Sequence, residues 1–79
     1  MYTVYVLKDK KGKLYKGFTN NIERRFREHI GGKTRTTRLM DEPFLVYKEE
    51  FNDFKEARGR ELYFKSAAGR RFLKKIIEN

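Results

Sequence analysis

Residues 2–8, Tyr-Thr-Val-Tyr-Val-Leu-Lys, are β-branched, aromatic or aliphatic at odd and even positions alike. A strand with one wet face alternates, so a run that is apolar on both faces predicts a central strand covered on two sides. Asp9-Lys10-Lys11-Gly12 follows as a hairpin turn, with glycine where a positive φ is often needed. Residues 13–18 then predict a second strand, antiparallel to the first. Asn20 with Glu23 forms a capping-box pattern, which starts a helix near residue 21, and Gly31-Gly32 stops it.

Residues 33–43 form a polar loop rich in hydroxyl and guanidinium groups, and residues 44–51 alternate enough for a third strand. Asp53 with Glu56 repeats the capping-box pattern and opens a second helix to about residue 66. A last, basic helix over residues 68–77 presents Phe72, Leu73, Ile76 and Ile77 on one face. The order β-β-α-β-α-α predicts an α+β fold, a three-stranded antiparallel sheet flanked by helices. There is no repeat, linker or low-complexity stretch, so residues 1–79 read as one domain.

Some polar residues break the apolar pattern. Around the first helix Ile22, Phe26 and Ile30 define the stripe, and His29 and Arg25 fall within about 60° of Ile22 on its other side. Both lie on or beside the inward face, one turn apart, whereas Arg24, Arg27 and Glu28 read as solvated charges. In the second helix Glu61 and Lys65 fall inside the arc set by Phe54, Ala57, Phe64 and Leu62. A carboxylate with a lysine four residues on also describes a structural ion pair, which by itself says little about function.

The net charge is +9 and unevenly placed: residues 1–40 hold eleven Lys/Arg against three Asp/Glu, residues 41–79 nine against eight. A field of that sign concentrates polyanions, nucleic acid above all, with an anionic membrane the weaker option. With no cysteine, disulfides, thiolate metal sites and thiol redox chemistry are excluded, and seven Phe and five Tyr supply the core instead. No apolar run is long enough to span a membrane and the N-terminus lacks a signal-peptide pattern, which predicts a cytoplasmic protein.

Tyr5 within Thr3-Val4-Tyr5 and Tyr15 within Tyr15-Lys16-Gly17 resemble the two signature strands of the GIY-YIG nuclease family. The family's helical arginine, ten residues beyond the second tyrosine, is matched by Arg25, its frequent following histidine by His29, and its later glutamate by Glu61. Thr19-Asn20 and Thr36-Thr37-Arg38 resemble the small standalone members. Thr3 and Lys16 depart from the motif, standing where it has its first glycine and its isoleucine. An asparagine of larger relatives has no counterpart up to Asn79.

The resemblance implies a metal-dependent endonuclease acting on DNA phosphodiesters, structure-directed rather than sequence-specific. Glu61 is then the ligand of a single Mg²⁺ or Mn²⁺, Arg25 the clamp on the non-bridging oxygens, and Tyr5 the group that activates or positions water. His29 would relay that proton or bond Tyr15, and Lys65 would neutralise the phosphate or orient Glu61. Tyr15 also reads as a core tyrosine, and Gly17 as a backbone requirement that lets a helix or substrate approach the strand. Lys16, Asn20, Lys33, Arg35, Thr37 and Arg38 are candidate nucleic-acid contacts, and Arg70, Arg71, Lys74 and Lys75 a possible extension of the track. A binding module of the same fold that cuts little or not at all is the second reading. A protein-interaction domain is the third, and RNA, a targeting partner and the oligomeric state stay open.

Overall fold

The computed structural model describes residues 1–31 and 39–77, without the side chain of Ile30. Its strands are β1 (Tyr2–Lys8), β2 (Leu14–Thr19) and β3 (Phe44–Phe51), and its helices α1 (Ile22–Ile30), α2 (Phe54–Lys65) and α3 (Ala67–Ile77). The sheet is antiparallel in the order β2-β1-β3, with β1 at its centre. This is the α+β architecture and element order that the sequence predicts.

β1 is covered on both faces, as its composition demands. Val4 and Val6 are fully buried against Ala57 and Phe64 of α2 and Leu73 of α3. Tyr5 and Leu7, pointing the other way, pack with Met40 and with Ile22 and Phe26 of α1. The sheet therefore divides two helix layers, α1 on one side and α2–α3 on the other. Val6 pairs with Tyr47 and Leu7 with Leu45, so Val46 is an extra residue that bulges β3 against the central strand.

Local chemistry fixes the connections. Gly12 takes φ 87° in the hairpin turn, a conformation that a Cβ would strain. Asp9, 2% exposed, organises that turn: Oδ1 accepts from the backbone N–H of Lys11 (3.0 Å) and Lys13 (2.7 Å), and Oδ2 from that of Asp41 (3.1 Å). Burial works to raise this carboxyl's pKa, but the three donors outweigh it and hold the pKa below its ordinary value. Helix α1 is capped by Asn21, whose side chain accepts from Arg24 N, so the cap lies one residue beyond the Asn20 of the sequence pattern. Thr19 explains the shift: its hydroxyl accepts from Asn21 N at 3.1 Å and sets the entry angle of the helix. Asp53 caps α2 as expected.

The α2 face differs from the helical-wheel expectation. Phe54 and Leu62 are half exposed, and the buried residues are Ala57, Glu61 and Phe64. Phe54 meets the sheet by edge contacts with Tyr2 and Phe18 at 5.6 and 5.4 Å, which settles its rotation near the helix start. Arg60 ties α2 to β3 and α3 together: its guanidinium lies 4.7–4.9 Å from the ring centroids of Tyr63, Phe64 and Phe72 and forks onto Glu49 at 2.8 and 3.1 Å. A planar cation serves rings and carboxylate at once, which an ammonium does not.

Arg60→Ala is expected to lower stability by about 2 kcal/mol in urea or thermal unfolding, because three ring contacts and a forked ion pair go together. Arg60→Lys is expected to recover only part of that loss.

Candidate active site

Tyr5 sits on the α1 side of the central strand, 1% exposed, directly opposite Gly17 on β2. A Cβ at Gly17 would lie 2.8 Å from the Tyr5 hydroxyl oxygen and 2.9 Å from its Cζ. The phenol crosses β2 at a residue without a side chain, so the close approach that requires glycine here is that of Tyr5 itself. Tyr15, two residues earlier on the same face, places its ring 6.1 Å from Tyr5 and 4.9 Å, edge to face, from His29.

Helix α1 supplies the other half of the cluster. Its one-turn spacing carries Arg25 and His29 to the same side, and His29 is 1% exposed. His29 Nε2 lies 2.8 Å from the Tyr5 hydroxyl, which also accepts from Arg25 Nε at 3.4 Å. The direction of the Tyr5–His29 bond follows the imidazole tautomer: the hydroxyl donates when the His29 proton is on Nδ1. Glu28, expected to be an ordinary solvated charge, instead holds Arg25 Nη1 at 3.3 Å. The i,i+3 spacing of Arg25 and Glu28 is the sequence signal for that pairing. The Arg25 side chain keeps 34% of its surface open, so one side of the guanidinium remains accessible.

Electrostatics assign the protons. Burial pushes the Tyr5 phenol well above its ordinary value, the Arg25 hydrogen bond opposes this, and the neighbouring Tyr15 adds to it. Tyr5 is therefore a neutral phenol at physiological pH. Burial, reinforced by the positive charge of Arg25, lowers the His29 pKa below its ordinary 6.5, with Glu28 partly opposing. His29 is a neutral imidazole hydrogen-bonded to a neutral phenol.

Glu61 stands apart from this cluster. It belongs to α2, the helix layer on the opposite face of the sheet, and is 6% exposed. Its Oε1 meets Arg58 at 3.2 Å and its Oε2 meets Lys65 at 3.5 Å, while the Lys65 side chain, expected inside the apolar arc, is 51% exposed. Among the described residues no hydrogen bond or ion pair joins Glu61 or Lys65 to Tyr5, Arg25 or His29. Nor do the described residues hold a cluster of three or more His, Cys, Asp or Glu fit for a metal. A lone hard carboxylate suits a magnesium-like ion that keeps its waters and completes its shell with substrate oxygens.

Of the candidate nucleic-acid contacts, Lys16 is half-buried on the α2–α3 face, away from Tyr5, and Asn20 is exposed just ahead of the α1 cap. Lys33, Arg35, Thr37 and Arg38 lie outside the described residues. Asp9 was missed as a structural centre by the sequence reading, because its burial depends on the approach of Asp41, which no local pattern shows.

The GIY-YIG catalytic domain family matches residues 1–75. A UPF0213 protein of Staphylococcus haemolyticus is 38% identical over 76 residues, covering 95% of this chain and 93% of the relative. One from Clostridium perfringens is 44% identical over 66 residues, covering 82% and 71%. The solution NMR structure of a UPF0213 protein from Bacillus halodurans superposes with a TM-score of 0.59 at 31% identity, over 96% of this chain and 85% of that one. With the tyrosine-bearing strand pair and the Arg25–His29 helix in place, the chain belongs to the GIY-YIG family, a nuclease family, in its small UPF0213 form.

Proposed function

We propose that this protein is a metal-dependent endonuclease that hydrolyses DNA phosphodiester bonds and is directed by substrate structure rather than by sequence. The observation that carries this reading is the Tyr5–His29 pair, a neutral phenol and a neutral imidazole hydrogen-bonded at 2.8 Å beside a half-open arginine. None of these groups needs a charge of its own to move a proton. As a water oxygen attacks phosphorus, its proton passes to the Tyr5 oxygen while the phenol proton passes to His29 Nε2. The bond to the leaving oxygen breaks, and that oxygen takes a proton from solvent. Arg25, anchored by Glu28, offers the exposed side of its guanidinium to the non-bridging oxygens, a task suited to a planar fork. Glu61 would hold the Mg²⁺ or Mn²⁺ on the α2 side of the sheet, and the ion would supply Lewis-acid stabilisation to a substrate phosphate that reaches it there. Lys65, already on Glu61, would orient that carboxylate or neutralise the phosphate, and Tyr15 supports both rings of the pair. Such an enzyme would act in the cytoplasm.

The engagement of both Glu61 oxygens by Arg58 and Lys65 favours a second reading, a binding module of the same fold with little cleavage. A metal-titrated cleavage assay on duplex, flap, branched and single-stranded DNA separates the two. Under the nuclease reading Tyr5→Phe and Arg25→Ala each lower turnover by about two orders of magnitude or more, and Glu61→Ala matches the effect of EDTA. Nicking by purified Glu61→Ala at the wild-type rate sinks it.

The single-turnover rate is expected to fall as pH drops below about 6.5, since His29 must be neutral to take the phenol proton and its pKa lies below that value. A rate that already begins to fall above pH 6.5 would assign that loss to a group other than His29. Gly17→Ala is expected to displace the Tyr5 hydroxyl, cutting the rate at least tenfold with a stability loss of about 1–3 kcal/mol. Part of that stability is expected to return in the Gly17→Ala/Tyr5→Phe double variant, because removing the hydroxyl removes the nearest clash.

A further inference from the structure

On the sheet face away from Tyr5, β1, β2 and α3 enclose a cleft of about 320 Å³. Its walls carry Lys8, Lys16, Arg70 and Lys74, and its floor is aliphatic, with Leu14 and Leu73. Among the described residues no carboxylate lines it, and none of these four cations makes an ion pair. The crowding is costly: burial, and then repulsion from Arg70 and Lys65, lower the Lys16 pKa from its ordinary value. Cations gathered round an apolar floor without counter-charge complement a ligand with phosphates on one side and an uncharged ring or sugar on the other.

The cleft's place in the fold selects the form of that ligand. β2 is an edge strand, and Lys16 lies between Tyr15 and Gly17 in sequence, facing the cleft while they face the Tyr5 cluster. The Tyr5 site and the cleft are thus the two sides of one sheet edge. A duplex is too wide and stiff to enter the cleft or fold round a single strand's edge. An unpaired strand does both: its backbone turns residue by residue, and its bases expose the apolar surface that a duplex hides. The cleft volume, at the lower end of the roughly 300–1,000 Å³ of ligand pockets, suits about one nucleotide.

We propose that the cleft between β2 and α3 binds a single-stranded arm of the nucleic-acid substrate, which passes round the β2 edge from the Tyr5 site. The arm's phosphates meet Lys8, Lys16, Arg70 and Lys74, and a base or sugar covers Leu14 and Leu73. This deepens the nuclease reading: the placing of the cut beside an unpaired arm rests on it, whereas the binding does not. Aliphatic contact reads no base edge, so the arm is gripped without sequence preference.

The test is fluorescence anisotropy in EDTA, which prevents cleavage, with a labelled blunt duplex and the same duplex bearing a single-stranded tail, over a series of salt concentrations. The tailed duplex is expected to bind at least tenfold more tightly at low salt. Lys16→Ala/Arg70→Ala should abolish that advantage and reduce the slope of log K against log salt by about 1.4, roughly 0.7 for each lost phosphate contact on a single strand. Lys74→Glu, at an exposed position, gives a second variant with the same expected direction. Arg71→Ala/Lys75→Ala removes equal charge from the exposed side of α3 and should preserve the advantage. Equal binding of blunt and tailed duplexes, or equal losses in the two double variants, would overturn the proposal in favour of diffuse attraction. Displacement of the tail by a free mononucleotide at micromolar concentration would overturn it in favour of a nucleotide site. Cleavage in Mg²⁺ is scored separately. Cutting without a tail advantage sinks this proposal alone, and a cleft-dependent tail advantage without cutting sinks the nuclease reading alone.

Discussion

The structure depends on one constraint: the central strand is buried on both faces, and one of its inward residues is a tyrosine. A hydroxyl taken out of water must find partners or destabilise the fold. Tyr5 finds them in His29 and Arg25, so the first helix is held on the sheet partly by polar contacts, and Gly17 must stay bare for the phenol to reach across β2. The demands of burial and of the proposed proton transfer coincide. The same low-dielectric surroundings that require the hydroxyl to be paired also keep both partners of the pair uncharged.

The two helix layers are built by different means. On the α2–α3 side, stacking of Phe64 on Phe72 and the insertion of Arg60 among three rings make a dense aromatic mass, latched to β3 through Glu49. On the α1 side the apolar contribution is smaller, and the Tyr5–His29–Arg25 contacts and the Asp9 carboxylate share the task. A rigid layer behind the sheet and a more polar one in front suit a site that must present charged and hydrogen-bonding groups to a substrate.

Much of this was legible in the sequence, for physical reasons. The period-two pattern that fails to alternate at residues 2–8 could only belong to a doubly covered strand. The one-turn spacing of Arg25 and His29 on an apolar stripe forced them inward. What could not be read was set by distant contacts. The cap moved from Asn20 to Asn21 because Thr19 turned the chain. The buried face of α2 was misjudged because Phe54 satisfies itself against Tyr2 and Phe18 at the helix end, leaving Leu62 outside. Glu28 read as a plain surface charge and Asp9 only as a turn residue, and their partners' positions reveal the rest. That α2, which carries Glu61, packs on the other side of the sheet from Tyr5 is a property of topology, invisible to any helical wheel.

The open side of β2 has a further consequence. An edge strand offers unpaired backbone donors and acceptors, and a second copy of the chain is a ready partner for them. Here that edge is lined by lysine and belongs to a molecule of net charge +9, so two copies repel before their strands align. The positive charge thus opposes edge-to-edge pairing of two copies. Neutralising it, whether by substitution or by a bound polyanion, brings the sheet edge within reach of a neighbour.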